Sequence, residues 1–245
     1  MRTFAALVLL LSPLAAHAEA GHTGPTRITT TTTTTTTTSA NHGVTTTVTV
    51  VEEMIEDSGS DRFVASAAPV KVPHGIASYG PFRVIDDGHA ALAGVTDERS
   101  PAAFAAMMAA HPGISVLEMV ECPGTEDDRA NLRLGRMIRA RGLATHVPAG
   151  GSVRSGAVEL FLAGTRRLAD RGAEFAVHAW ADEDGRQPRD YGENAPENRA
   201  YIDYYREMGM SGIEAHAFYD MTNSVPNASA RWMNAAQMAQ WVRYN

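Results

Sequence analysis

The 245-residue chain has a single cysteine, Cys122, and a single lysine, Lys71. One cysteine has no partner within the chain, so a disulfide framework and paired-cysteine metal motifs are both excluded. The lone lysine lies upstream of the expected catalytic region, which leaves serine–lysine and Schiff-base mechanisms almost without candidates. The other cations are arginines scattered among acids at a formal net charge of -7. No basic stripe forms, which argues against nucleic acid as a partner. HExxH and Walker-type loops are missing too, and the nine histidines are dispersed, with His146 and His216 in no ligand spacing. Neither a metal nor a cofactor is expected. Long apolar runs are also lacking: the stretch Phe4 to Leu14 is shorter than the roughly 18 residues that span a bilayer, so no integral membrane span is expected. With 44% apolar and 20% charged residues, enough remains to bury one core.

The N-terminal part divides by composition. Residues 1–20 carry Arg2, the apolar run, and then small residues ending in Ala18-Glu19-Ala20, the three-part pattern of a signal peptide. It predicts a periplasmic or secreted protein. Residues 21–69 hold an unbroken threonine run, Thr29 to Thr38, followed by an acidic patch from Glu52 to Asp61. Such composition cannot build a packed core and reads as a disordered linker, with threonines open to O-glycosylation after export. The folded domain is expected over 70–245.

Within it, short apolar runs alternate with helical patterns. Strands are expected at Phe82 to Ile85, His89 to Val95, Ile114 to Val120, Ala144 to Pro148 and Glu174 to Trp180. Helices are expected after Ser100-Pro101, after Asp127-Asp128 up to Gly142, and from Ser155 to Ala163. This order predicts an α/β fold of right-handed parallel crossovers. Beyond Trp180 come a polar loop, 181–196, and three helical segments, 197–208, 213–221 and 235–242.

The chemistry concentrates between Ala149 and His178. A serine hydroxyl needs a base to take its proton and fixed N–H donors to meet the oxyanion it generates. Ser155-Gly156, after a glycine turn and at a helix start, supplies a serine with free amides beside it, and Pro123-Gly124-Thr125 supplies a second tight turn at a strand end. Taken singly, Ser155 is equally an N-cap and His178 equally a core histidine. Asp127 and Asp128 read as cap and dipole partners, and Tyr201, Tyr204 and Tyr205 as packing residues. Ser152 fails the G-x-S-x-G pattern because Arg154 stands in the last glycine's place.

Together, Cys122-Pro123-Gly124, Arg136 to Arg139, Ser155-Gly156-Ala157 with Leu160 to Gly164, and Ala176-Val177-His178 resemble the Clp protease proteolytic-subunit and crotonase superfamily. The likeness runs to exported Clp-protease-like proteins of bacteria and covers roughly Phe82 to Asn245. It implies a Clp/crotonase-like α/β fold of repeated β-α-β crossovers with a C-terminal helical segment. It further implies Ser155 as nucleophile, His178 as base, and the N–H groups of Gly124 and Gly156 as the oxyanion hole. Homo-oligomerisation follows from the same resemblance, with the 181–196 loop placed to alter how subunits meet. Three positions depart from the pattern: Thr125 replaces a glycine, Cys122 replaces a serine, and Ala230 stands where the triad aspartate belongs. Asp220 and Asn227 are the candidates for that third member.

The function expected is an exported, peptidase-like serine hydrolase acting on a peptide or small acyl substrate. The alternative is a non-catalytic binding or scaffold protein that keeps the fold. Crotonase-type chemistry on coenzyme A thioesters suits the fold but not an exported protein.

Overall fold

Strand β4 (Val116–Cys122) is the trunk of the sheet, because it pairs with different partners along its length. Its first half, Val116 to Glu118, runs parallel to β5 (Ala144–Val147), and its last two residues run parallel to β6 (Ser152–Arg154). The computed structural model describes residues 71–244; the expected signal peptide and threonine-rich linker lie outside them. On one side of β4 stand β1 (Ala77–Tyr79), β2 (Phe82–Val84) and β3 (His89–Ala93), with β1, β2 and β3 successively antiparallel and β3 parallel to β4. On the other side one branch continues through β5 to β7 (Arg166–Ala169). The second continues through β6 to β8 (Glu174–Val177) and the antiparallel β9 (Arg231–Asn234).

Helices α1 (Ser100–Ala110) and α2 (Asp128–Ala140) make the crossovers between parallel neighbours, and α3 (Ala157–Leu162) follows β6. The architecture is α/β with repeated β-α-β crossovers, and a helical segment of α4 (Pro196–Glu207), α5 (Gly212–Thr222) and α6 (Ala235–Met238) forms the C-terminal part. Phe82, Phe104, Leu117, Met119, Phe161 and Phe175 fill the core. Each such side chain contributes roughly 1.5–3 kcal/mol by leaving water. Tyr204 packs on α2 so closely that a Cβ at Gly135 would lie 1.9 Å from its hydroxyl, so this contact between α2 and α4 requires a glycine.

Local rules explain most boundaries. Asp127 caps α2, its carboxylate accepting from Ala130 N–H at 2.8 Å. Ser100 does not cap α1 as expected: Arg99 is the N-cap, and the Ser100 hydroxyl instead donates to Asp97 at 2.8 Å and accepts from its N–H at 2.9 Å. The helix expected from Ser155 starts later, because 152–154 are taken into the sheet as β6. The strand expected to reach Trp180 stops at Val177, and the last helix stops at Met238. Strands β7 and β9 were not expected, since RRLA and RWMN are half-exposed edge segments without a period of two.

Candidate functional site

Three parallel strands end side by side. Cys122 of β4 pairs with Val153 of β6, and Arg154 of β6 pairs with Ala176 of β8. Gly124, Ser155 and His178 are each the first or second residue past those ends, so the topology gathers them at the carboxyl edge of the sheet, where open α/β sheets leave their crevices. Ser155 and His178 line one open cavity there, of about 40 Å³.

Ser155 is the only non-glycine residue at positive φ among the described residues, at +50°. An L-residue pays roughly 1–2 kcal/mol for that conformation. It persists because the turn is pinned on both sides: Ser155 N–H donates to Ala176 O, and Ser155 O accepts from Val158 N–H, both at 2.9 Å. Ser155 is therefore not an N-cap. That place belongs to Gly156, and the six-residue α3 contributes little dipole of its own.

Gly124 lies directly over the serine. A Cβ built there would be 3.0 Å from Ser155 Cβ and 3.4 Å from Oγ, and its φ of +137° also demands glycine. Gly156 is required by contact rather than by φ, since its Cβ would meet Thr125 Cγ2 at 2.5 Å. Among the described residues, neither the Gly124 nor the Gly156 N–H is spent on a protein hydrogen bond.

His178 is half-buried, and its Nδ1 lies 2.9 Å from Ala179 O. A carbonyl only accepts, so this contact is a hydrogen bond in the tautomer that carries its proton on Nδ1 and leaves Nε2 its lone pair. Asn227 lies beside the same nitrogen at 3.3 Å while its amide donates to Ala179 O at 2.9 Å. Asn227 thus braces the carbonyl that holds the imidazole. Asp220 is exposed on α5 and does not line the cavity. No hydrogen bond joins Ser155 Oγ to His178, and among the described residues no carboxylate is hydrogen-bonded to His178.

Several participants escaped the sequence reading. Asn131 is buried on α2 and donates to Gly156 O at 2.6 Å, while its Oδ1 accepts from Thr96 Oγ1 at 3.1 Å. Thr96 N–H in turn donates to Gly124 O at 3.0 Å. One buried network therefore ties both glycines to α2. Thr125, which stands in a glycine's place, accepts from Asp127 N–H and donates to Thr96 O, fastening the same loop.

Glu159, one turn beyond Ser155, is 6% exposed; burial pushes its carboxyl up to about 7, against the Tyr205 hydroxyl that donates to it at 2.7 Å. Asp128 also lines the cavity and is raised, first by desolvation of its carboxyl and then by Asp127, although the residue as a whole is exposed. Tyr201 and Tyr205 wall the cavity as well as packing the helices. Cys122 is buried and its thiol is raised by desolvation, which removes it from nucleophilic chemistry. An acidic residue on the helix after the serine was the one available signal for Glu159; an asparagine at α2's fourth position gave none.

No protein-family model matches the chain, and no curated protein matches it. Solved structures do show likeness at low identity. A 1510-N membrane-bound stomatin-specific protease mutant, in complex with a substrate peptide, is 13% identical over 60% of this chain and 70% of its own, with a TM-score of 0.40. A ClpP1 mutant from Listeria monocytogenes is 13% identical over 64% and 88%, at 0.45. An enoyl-CoA hydratase from Shewanella pealeana is 13% identical over 67% and 66%, at 0.43. These likenesses concern the course of the backbone, not substrate or mechanism. Among the described residues, no helix is long and apolar enough to cross a membrane.

Proposed function

We propose that the chain is a peptidase-like serine hydrolase. The observation that carries this reading is Ser155 itself, a serine held at φ +50° at a strand end, with Gly124 packed against its hydroxymethyl group. Strain of this kind persists where the surrounding structure over-determines it, and Ser155 lines the cavity. The reading also draws on the two unspent glycine N–H groups and on the tautomer of His178.

In the mechanism, Ser155 Oγ attacks the substrate carbonyl carbon as its proton passes to His178 Nε2. The carbonyl oxygen becomes the oxyanion and takes hydrogen bonds from Gly124 and Gly156 N–H. The imidazolium gives the proton to the leaving group, the acyl-enzyme forms, and water activated by the same histidine releases the acid. Ala179 O, braced by Asn227, takes the orienting role that a carboxylate has in a full triad. For Nε2 to reach Ser155 Oγ, the two must close on each other when substrate binds, as catalytic hydrogen bonds commonly do.

The test is intact-mass analysis after treatment with an uncharged fluorophosphonate. One adduct on the wild type, absent from Ser155→Ala and His178→Ala, is expected. The missing carboxylate at His178 favours a second reading, a non-catalytic binding protein that keeps the fold, and a folded wild type that takes no adduct would select it.

We propose further that the protein is exported to the periplasm or beyond, with residues 1–20 as the signal. Secretion from a bacterial host with a mature N-terminus near residue 21 is the expected outcome; retention of the full leader in the cytoplasm would contradict it.

A further inference from the structure

The cavity beside Ser155 is lined by two carboxyl groups and by aromatic rings. Glu159 reaches it from α3 and Asp128 from the first turn of α2, while Trp180, Tyr201 and Tyr205 supply ring surface. Neither an arginine nor a lysine lines it. Glu159 is nine-tenths buried, yet no cation is paired with it among the described residues; its carboxyl accepts from the neutral Tyr205 hydroxyl and from its own backbone N–H. Arg154, the nearest arginine in sequence, is engaged with Glu121 at 2.5 Å.

A buried carboxylate without a cation is costly, and a protein that keeps one beside an open cavity gains when a positive ligand group arrives. Trp180 and Tyr201, stacked on each other at 6.2 Å, also line the cavity, and aromatic surface attracts ammonium groups. The size fits: about 40 Å³ takes a few water molecules, or an ammonium with its last methylenes.

We propose that this cavity binds the ammonium group of a basic residue in the substrate, with Glu159 and Asp128 as its anionic wall and the rings of Trp180 and Tyr201 as its sides. The inference deepens the serine-hydrolase reading and rests on it for the word substrate, since it names basic peptides as the class to be cleaved. Glu159 and Asp128 are then the residues that set specificity. The cavity selects against acidic groups, which would meet two carboxylates.

Binding can be measured without chemistry. The full chain is titrated with n-butylammonium, n-butanol and n-butyrate while the Trp180 indole N–H signal is followed by NMR, in the wild type and in Ser155→Ala, Glu159→Gln and Asp128→Asn. Saturable binding of butylammonium by the wild type and by Ser155→Ala alike is expected. Glu159→Gln should weaken it at least tenfold and Asp128→Asn severalfold, with no saturation by butyrate. Asp128 is exposed at the start of its helix, so its variant carries the test should Glu159→Gln not fold.

Absence of saturable butylammonium binding, equal binding of butanol or butyrate, or affinity unchanged in both carboxylate variants would overturn the proposal. Because Ser155→Ala cannot be acylated, these outcomes are separate from the fluorophosphonate result. A protein that takes no label yet binds butylammonium would lose the hydrolase reading and keep the ammonium site.

Discussion

At the scale of single residues, Ser155 sets a conflict between stability and chemistry. Its backbone is held in a conformation that suits glycine, and only the turn around it keeps it there. Glycine at 155 relieves the left-handed penalty and loses a few tenths to about 1 kcal/mol through its looser unfolded chain; alanine relieves nothing. Ser155→Gly is therefore expected to be more stable than Ser155→Ala by about 1 kcal/mol in urea denaturation, with both inert to fluorophosphonate. Equal stabilities would mean that the turn carries no strain.

Glu159 gives a second prediction with a definite sign. Its folded pKa is raised to about 7 from an ordinary value of 4.5, so the stability linked to its protonation is present below about 4.5 and is lost as pH rises through about 7. Tyr205 faces this carboxyl directly, while Asp128, Tyr201 and His178 share its cavity. Glu159→Gln keeps an acceptor for the Tyr205 hydroxyl. It should flatten the stability profile between those values and gain up to about 3 kcal/mol at pH 8 relative to wild type. A parallel pair of profiles would contradict the assignment. These residues were unevenly legible in the sequence. Ser155 and His178 stood out because glycine turns and strand patterns flanked them, whereas the state of Glu159 depends on burial by helices α3 and α4, which no local pattern records.

At the scale of elements, the loop after β4 and the turn after β6 are fitted to each other. Thr125 Cγ2 occupies the space a Cβ on Gly156 would need, and Asn131 locks the Gly156 carbonyl from α2. Gly156→Ala should cost about 1–3 kcal/mol, as overpacking at a rigid site does. Combining it with Thr125→Ser, which removes the offending methyl, should recover part of that loss, and a double-mutant cycle reads the coupling. Additive effects would show that the two elements do not touch in solution. The sequence announced the crossovers β3-α1-β4 and β4-α2-β5 well, because their strands are apolar and their helices amphipathic or proline-started. It did not announce β6, whose three residues SVR follow a double glycine, or β7 and β9, whose pairing comes from neighbours rather than from their own composition. Missing β6 is what made Ser155 look like a helix cap.

At the scale of the whole molecule, the fork of β4 is what makes a site. It sends β5 and β7 one way and β6 and β8 the other, so that β4, β6 and β8 end together with Gly124, Ser155 and His178 at their tips. The other branch carries an ion-pair cluster: His146 of β5 lies 2.6 Å from Glu118 of β4 and 3.2 Å from Asp170 after β7. The Glu118 hydrogen bond, with Asp170 adding to it, raises His146 to about 9. This histidine lends stability fully below about 6.5, and the contribution is lost as pH rises through about 9. His146→Gln should accordingly lose more stability against wild type at pH 6 than at pH 10, measured by thermal unfolding. A difference independent of pH would remove the cluster from the account. The fold class was legible in the chain, and so were Ser155 and His178, which the structure places on one cavity. The orienting group on His178 was not: the structure brings a carbonyl and Asn227 there, while Asp220 points elsewhere, because that choice is made by how the α5–β9 connection returns over β8.

The central claim is that Ser155 is the activated serine of this chain. Its most direct measurement is the peptide map of the fluorophosphonate-treated protein. Phosphonylation confined to the peptide containing Ser155, and lost in His178→Ala, is the predicted result. Label on Ser152 or scattered over the surface serines, or undiminished label in His178→Ala, would contradict it.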